Sequence, residues 1–386
     1  MSTGKRTRAV VHFPADSGPY QGPLMDALRA AGVGAEYLPL PEHVLLPAPL
    51  HAVARIVALP FALVLARVRG ARILHLHWVY PFTPGPSTPT FLRRAARGWF
   101  GLQLALARAL GLRIVWTAHN VLPHHAVFDD DVAARRALVG AADGVIVHHP
   151  STAVELARRF GPPARVAVIA QGAPDVGPLP SRLTARRALG IPSDRVLVAL
   201  FGRIAPYKGV PVLLRALALL DLAERARLVV LVAGELEGPG TPEGEAHGRE
   251  IARLAAASGV DVRLALRHLS DGELRTILAG ADLACLPFLR IDNSGSAITA
   301  LAAGLPVIVP AHPSLTELPD GAVIRYDPET FEAGCAAALA RFLAVDPEGR
   351  AAMSRAARRW AAEHAWAAAG RATAALYREI LEGAAQ

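Results

Sequence analysis

The feature that most constrains this chain is residues 196–217, VLVALFGRIAPYKGVPVLLRAL. Val196–Phe201 is an unbroken apolar run of strand length, and 211–217 has a helical pattern with proline in its first turn. Between them lies Gly202-Arg203-Ile204-Ala205-Pro206-Tyr207-Lys208-Gly209, a loop with two cations and two glycines. A strand, a loop and a helix in that order leave backbone N–H groups free at the helix start, where the peptide dipoles favour an anion. Arg203 adds a forked donor and Lys208 a compact charge, a combination suited to a diphosphate. The spacing is neither a P-loop nor GxGxxG, and taken alone it is equally an ordinary turn with solvated cations.

A chain of 386 residues exceeds one ordinary core, so two domains are expected. With 52% hydrophobic and 19% charged residues it is a folded protein. Cys285 and Cys335 are too few for a disulfide framework, and Cys285 lies inside the apolar run LACLPF, as a buried thiol does. Charge is placed unevenly: residues 1–185 hold 19 Lys and Arg against 10 Asp and Glu, whereas 186–386 hold 22 against 23. A basic first half points to an anionic surface or ligand, and with no nucleic-acid motif in sight, phosphates or lipid head groups rank first. The apolar run after Ala9 is broken by His12 and ends at Pro14, too short for a signal peptide. The most apolar segment, 56–66 between Arg55 and Arg67, is about half the ~20 residues a membrane span needs. It is read as a buried helix, with a helix lying in a membrane interface as the alternative.

Taken in order, the first half alternates strands and helices. Residues 8–13, 35–40, 73–78, 113–117, 144–149 and 165–169 are expected strands, with helical segments between, as in a parallel doubly wound sheet. After the first strand comes a loop with Gly18 and Gly22 and a helix from about Leu24 to Ala31; both glycines would let an acceptor or phosphate approach the backbone. In such sheets the ligand crevice lies at the carboxyl ends of the strands. The third strand brings His75, His77 and Trp78 there, and the fourth Thr117, His119 and Asn120, with His124 and His125 following. His75 and His77 share one strand face but have no carboxylate or cysteine at ligand spacing, so interior histidines with satisfied hydrogen bonds are expected, not a metal site. His119 stands where strand gives way to loop and is a candidate functional group.

The Pro- and Gly-rich span 172–193 is the expected linker. Six further strands follow, at 196–201, 227–232, 262–266, 283–287, 307–309 and 323–326. Asp292-Asn293-Ser294-Gly295-Ser296 precedes the helical pattern 297–303, a second helix start able to cap itself and offer N–H groups to a phosphate. Two such starts on one side of one sheet favour a diphosphate ligand. The tract 351–381 is helical, with aromatic anchors Trp360, Trp366 and Tyr377.

With these segments in place, the chain resembles the retaining, GT-B-type glycosyltransferases of the large "group 1" family, usually called family 4. Gly202-Arg203 with Lys208-Gly209 is similar to that family's donor diphosphate loop, and Leu269-Ser270-Asp271-Gly272-Glu273-Leu274 to its nucleotide-side segment. Ala302-Ala303-Gly304-Leu305-Pro306 resembles its alanine-glycine turn, and Thr117-Ala118-His119-Asn120 its histidine loop. One departure stands out. The family's paired glutamates, eight positions apart, fall here on Ile291 and Thr299, as in a subgroup that has lost these carboxylates.

The resemblance implies an α/β chain of two Rossmann-like domains facing a cleft: 1–175 on the acceptor side, a linker at 176–192, a nucleotide-sugar domain at 193–360, and a helix at 361–386 crossing back. It implies transfer of a sugar from a nucleotide diphosphate sugar as co-substrate, with no cofactor, no metal and no nucleic acid. The donor base would lie near His268 and Leu269, the diphosphate at Gly202, Arg203, Lys208, Ser294, Gly295 and Ser296, and the donor sugar near Asp292 and Thr299. His119, Arg203 and Lys208 would carry the catalysis, while Gly18, Tyr20, Gly22 and Asn120 would meet a carbohydrate or lipid-linked acceptor. The basic first half suggests peripheral contact with the inner face of a membrane from the cytoplasm. A sugar-nucleotide epimerase or an inactive binding protein on the same fold are the rival expectations.

Overall fold

The computed structural model describes residues 8–15, 20–40, 54, 56–82, 88–123, 126–291 and 294–383. Gly18, Arg55, His124, His125, Asp292 and Asn293 lie outside them. The chain divides into two units, residues 1–172 with 364–386, and residues 173–363.

The first unit is built on six parallel strands, β1 (Arg8–Phe13), β2 (Gly34–Tyr37), β3 (Ile73–Leu76), β4 (Arg113–Ala118), β5 (Gly144–Val147) and β6 (Val166–Val168), in spatial order β2-β1-β3-β4-β5-β6. Its helices are α1 (Gln21–Ala30), α2 (Leu59–Val68), α3 (Thr90–Ala109), α4 (Asp131–Ala141) and α5 (Pro150–Phe160). Continuous burial of β3 and β5 explains their lack of alternation, because helices cover both faces of a parallel sheet. Helix α1 starts at Gln21, earlier than the sequence pattern indicated. Gly22 therefore sits in the first helical turn rather than in a loop, with no heavy atom within 4 Å of a built Cβ.

The second unit repeats the plan. Strands β7 (Val196–Phe201), β8 (Leu228–Ala233), β9 (Asp261–Ala265), β10 (Leu283–Cys285), β11 (Val307–Pro310) and β12 (Val323–Tyr326) form a sheet in order β12-β11-β10-β7-β8-β9. Around it lie α6 (Arg182–Leu189), α7 (Val210–Leu217), α8 (Leu222–Ala226), α9 (Pro242–Ala257), α10 (Asp271–Gly280), α11 (Gly295–Ala302), α12 (Phe331–Ala344) and α13 (Pro347–Glu363). Strands β7 and β8 are buried at every position, and both cysteines are buried in the core beside them with 3.7 Å between sulfurs.

Two boundaries differ from the sequence reading. The span 176–192 is not an open linker: it contains α6, capped by Ser181 and pinned through the buried Arg186 to Asp282 at 3.0 Å. Proline content concealed a helix whose stability comes from that ion pair and its packing on α10. The tract at 351–381 is likewise two helices, because the chain breaks between α13 and α14 (Trp366–Glu382), where the first unit resumes. There α14 packs along α1, and Gly370 allows the approach: a Cβ there would lie 2.6 Å from Cβ of Ala27.

Candidate functional site

In the second unit, four neighbouring parallel strands, β10, β7, β8 and β9, bring their carboxyl ends together on one edge. Strand β7 ends at Phe201, and Gly202 follows at φ +99°, turning the chain so that its N–H donates to the Ala233 carbonyl at 3.1 Å. Gly234, at the end of β8, packs so closely that a Cβ would lie 1.8 Å from the Gly202 oxygen. The chain then makes a short 3-10 turn, Pro206–Lys208, and reaches α7 through Gly209 at φ +69°, where a Cβ would strike the Pro287 carbonyl at 1.9 Å. These steric limits fix the path of the loop.

The loop closes on α11. Lys208 Nζ donates to Ser296 Oγ at 2.5 Å, and Ser296 Oγ in turn donates to the Phe201 carbonyl at 3.3 Å. The ammonium also stands 5.2 Å from the ring centre of Phe288. Two segments 88 residues apart are thereby brought into one cluster. Lys208 is only 5% exposed, and among the described residues no carboxylate pairs with it. Burial lowers its pKa to about 8. A desolvated cation without a counter-ion is costly unless a ligand supplies the negative charge.

The other donor-side candidates take distinct positions. Arg203 is exposed beside this loop and without an ion pair among the described residues. Ser294 caps α11 by accepting from the Ala297 N–H at 3.0 Å, and Gly295 is exposed at the first helical position with open space around it. Thr299 is half-buried in the next turn of α11, and Ile291 is buried in the core. His268 is exposed in the loop after β9, while Leu269 is half-buried against the core just before the Ser270–Glu273 capping box of α10. Sequence reasoning missed Gly234 and Phe288. A glycine directly after a strand, in VAGELEG, was a legible sign of the first; the second shows only once the loops meet.

The first unit holds a different cluster. His12, at the end of β1, His75 on β3, His77 just after it, His119 after β4 and His148 after β5 lie at the same edge of the sheet. His75 Nδ1 pairs with the Tyr377 hydroxyl at 2.5 Å and Nε2 with the Thr117 hydroxyl at 2.7 Å, so the expectation of satisfied interior histidines holds for it. His12, His75 and His77 offer nitrogens within 4.8 Å of one another; both nitrogens of His75 and of His77 and Nδ1 of His12 are engaged in hydrogen bonds. His119 is half-buried, stacked on Trp78 at 4.4 Å and 13°, and met edge-on by Tyr20 at 4.4 Å. Tyr20 stands at the N-cap of α1 and also meets Trp366 of α14 at 5.0 Å, so the returning helix completes this cluster. Asn120 is half-buried beside His119.

The imidazoles form a directed chain. His12 Nδ1 meets His77 Nε2 at 2.9 Å, and His77 Nδ1 meets His119 Nε2 at 3.3 Å. Desolvation lowers the pKa of His12 to about 3 and holds His77 and His119 well below the usual range, with neighbouring cations and imidazoles adding to it, so all three are neutral. Each then carries one proton, and the chain runs in one of two senses. The buried Nε2 of His12 has no partner among the described residues. An orphaned N–H there is costlier than a bare lone pair, so the protons lie on Nδ1 throughout. His119 therefore accepts at Nε2 and offers an Nδ1–H donor.

With this geometry in hand, comparison with known proteins gives a consistent picture. Residues 181–360 match the family glycosyl transferases group 1. Among curated relatives, a D-inositol 3-phosphate glycosyltransferase of Saccharomonospora viridis is 33% identical over 291 residues, covering 70% of this chain and 65% of that protein. One of the same name from Kribbella flavida is 32% identical, covering 70% and 66%. The chain thus spans just under two thirds of the length of these relatives. Among solved structures, sucrose-phosphate synthase from Thermosynechococcus elongatus superposes with a TM-score of 0.72 at 19% identity, covering 98% of this chain and 97% of that one. Anabaena HepE in complex with UDP-glucose gives 0.68 at 16%, covering 96% and 99%. The fold is of the GT-B type.

Proposed function

We propose that this protein is a glycosyltransferase that moves a sugar from a nucleotide diphosphate sugar to an acceptor. The observation that carries this reading is the meeting of Lys208 with Ser296 at the start of α11: a buried ammonium that pairs with no carboxylate among the described residues, next to a helix N-terminus. Both favour a dianionic pyrophosphate. The match of 181–360 to glycosyl transferases group 1 supports it, as does the complex that HepE, a protein of the same fold, forms with UDP-glucose.

The leaving group is a nucleoside diphosphate, so the barrier falls when positive charge already faces the oxygen on which negative charge develops. Lys208 and the exposed Arg203 are assigned that task, and Gly295 and Ser296 are assigned to the phosphates through their backbone N–H groups. This division of labour needs no metal ion. His268 and Leu269 are assigned to the base, and Thr299 to the sugar. His119 is assigned a hydrogen bond from Nδ1–H to a sugar hydroxyl, not proton abstraction, since a neutral imidazole with Nε2 occupied has no free base. Reaction with retention follows from the family resemblance alone.

A lipid-linked or polysaccharide acceptor at a membrane surface is supported by α2. It buries Leu59, Ala62, Leu63 and Ala66 on one side, while Phe61 (77%) and Val68 (78%) are exposed on the other with Val64 and Leu65. The apolar segment is thus half core and half exposed, where the sequence reading had favoured burial. An exposed apolar helix face close to Arg69 is suited to an anionic interface. Among the described residues no helix is long and apolar enough to cross a membrane.

The test is incubation with a panel of UDP- and GDP-sugars, following slow hydrolysis and thermal stabilisation by each nucleotide. At least one diphosphate should stabilise the wild type, and Lys208→Ala should abolish both signals. Stabilisation by none of them at millimolar concentration would reject the proposal.

A further inference from the structure

The end of the second sheet opposite Lys208 carries a second cationic feature. At the amino ends of β10 and β11, between α6, α10 and the long helix α13, lies a cavity of about 620 Å³. That volume is in the range of small-molecule sites, roughly 300–1,000 Å³. Its charged lining consists of Arg182, Arg350 and Arg358 with a single carboxylate, Asp282.

That carboxylate is already fully engaged. Asp282 Oδ1 receives Arg182 at 2.6 Å, and Oδ2 receives both the buried Arg186 at 3.0 Å and the Leu197 N–H at 2.8 Å. Its charge is shared with Arg182 and Arg186, and although its field still reaches Arg350, the lining keeps a net positive charge. On the opposite wall α13 turns Arg350, Ser354 and Arg358 toward the cavity at four-residue spacing, one face of the helix. Arg350 is held against Phe342, with its ring centre 4.8 Å away, and donates from Nε to the Val345 carbonyl at 3.0 Å and from Nη2 to the Leu343 and Phe342 carbonyls at 3.2 and 3.4 Å, which leaves its Nη1 for the cavity. Arg358 is held by packing alone: its stem crosses Gly304, where a Cβ would lie 2.5 Å from Nε. Gly304 is at φ +80° at the end of α11, so that opening is built into the backbone. Among the described residues neither Arg358 nor Ser354 has a hydrogen-bond partner. The wall therefore presents the whole Arg358 guanidinium, one nitrogen of Arg350 and a hydroxyl, with an apolar floor that includes Leu179 and Leu278.

We propose that this cavity binds a phosphorylated small molecule, with Arg358, Arg350 and Ser354 as its phosphate ligands. Guanidinium forks match phosphate oxygens in pairs, and the net positive lining calls for a ligand with more than one negative charge. The volume exceeds that of a phosphate group, which leaves the apolar floor for the organic part. The site is at the far end of the strands from Lys208 and does not depend on the transferase reading.

The experiment is calorimetric titration of the full chain with inorganic pyrophosphate as the probe, on wild type, Lys208→Met, Arg358→Glu and the double variant. The expected result is two equivalents for wild type, one for each single variant and none for the double, with Arg358→Glu weakening its site at least tenfold. Arg358 is exposed and without an ion pair among the described residues, so its variant should keep the wild-type melting temperature, and Ser354→Asp places a new negative charge on the same wall. A wild type that binds one equivalent or none, with any binding unaffected by both Arg358→Glu and Ser354→Asp, would overturn the site. Loss of no equivalent in Lys208→Met alone would instead count against the donor-site assignment.

Discussion

Replacing Lys208 by Met should make the protein more stable and less able to bind a nucleotide. Burial lowers the Lys208 pKa from 10.5 to about 8. At about 1.36 kcal/mol per unit, the folded protein below pH 8 carries a penalty of about 3 kcal/mol for keeping that ammonium desolvated. The sign follows from proton counts. Between pH 8 and 10.5 the unfolded chain holds a proton that the folded lysine has released, so wild-type stability rises with pH across that window. The penalty is complete below it. Methionine fills the same volume without a charge, and the lost hydrogen bond to Ser296 is offset in part by the bond Ser296 keeps to Phe201. Allowing about 1 kcal/mol for that bond, Lys208→Met should stabilise the second unit by roughly 2 kcal/mol at pH 7. The advantage should vanish above pH 10. Scanning calorimetry of both proteins at pH 7 and 10, with and without UDP, measures this directly. Wild type should gain from UDP and the variant should not. A variant less stable than wild type at pH 7 by 1 kcal/mol or more would show that the ammonium serves the fold, and the argument from an uncompensated charge would fail.

Three further outcomes follow from the same geometry. For wild type, UDP affinity should fall about tenfold between pH 7 and pH 9, because the free lysine loses its proton near pH 8; a flat profile would remove Lys208 from the phosphate. Acid should weaken the first unit: His12 titrates at about 3 and His148 at about 4 when folded, against 6.5 unfolded, so stability is complete above 6.5 and falls by about 2 kcal/mol per histidine on reaching pH 5. Glu273, lowered to about 2 by Arg267, contributes only to losses below about pH 4.5, so urea denaturation at pH 7.5 and pH 5 isolates the imidazoles, and equal midpoints would refute their burial as neutral groups. Finally, nitrogen-15 spectra of the imidazoles should show His119 as the Nδ1–H tautomer, shifting toward a mixture in His77→Phe; an Nε2–H signal in wild type would reverse the chain from His12.

Much of this was legible in the order of residues. Short apolar runs bounded by glycine and proline mark strands, and their alternation with helical segments admits little besides two parallel sheets. The boundaries of β7 and β12 agree to the residue. Lys208, Arg203 and Ser294 to Ser296 stood out because phosphate chemistry needs small residues, cations and helix starts, and these are local patterns. What sequence could not supply was pairing between segments remote along the chain. That Lys208 reaches Ser296, that Asp282 is consumed by Arg186, and that Tyr377 closes the histidine cluster from 302 residues away are facts of packing. The helix hidden at Arg182–Leu189 has the same origin, since its support lies in another element. Charge state belongs with these. A lysine or histidine has its ordinary pKa in the written chain, and only the folded surroundings, by withdrawing water, make one an ammonium in need of an anion and the other a fixed neutral donor.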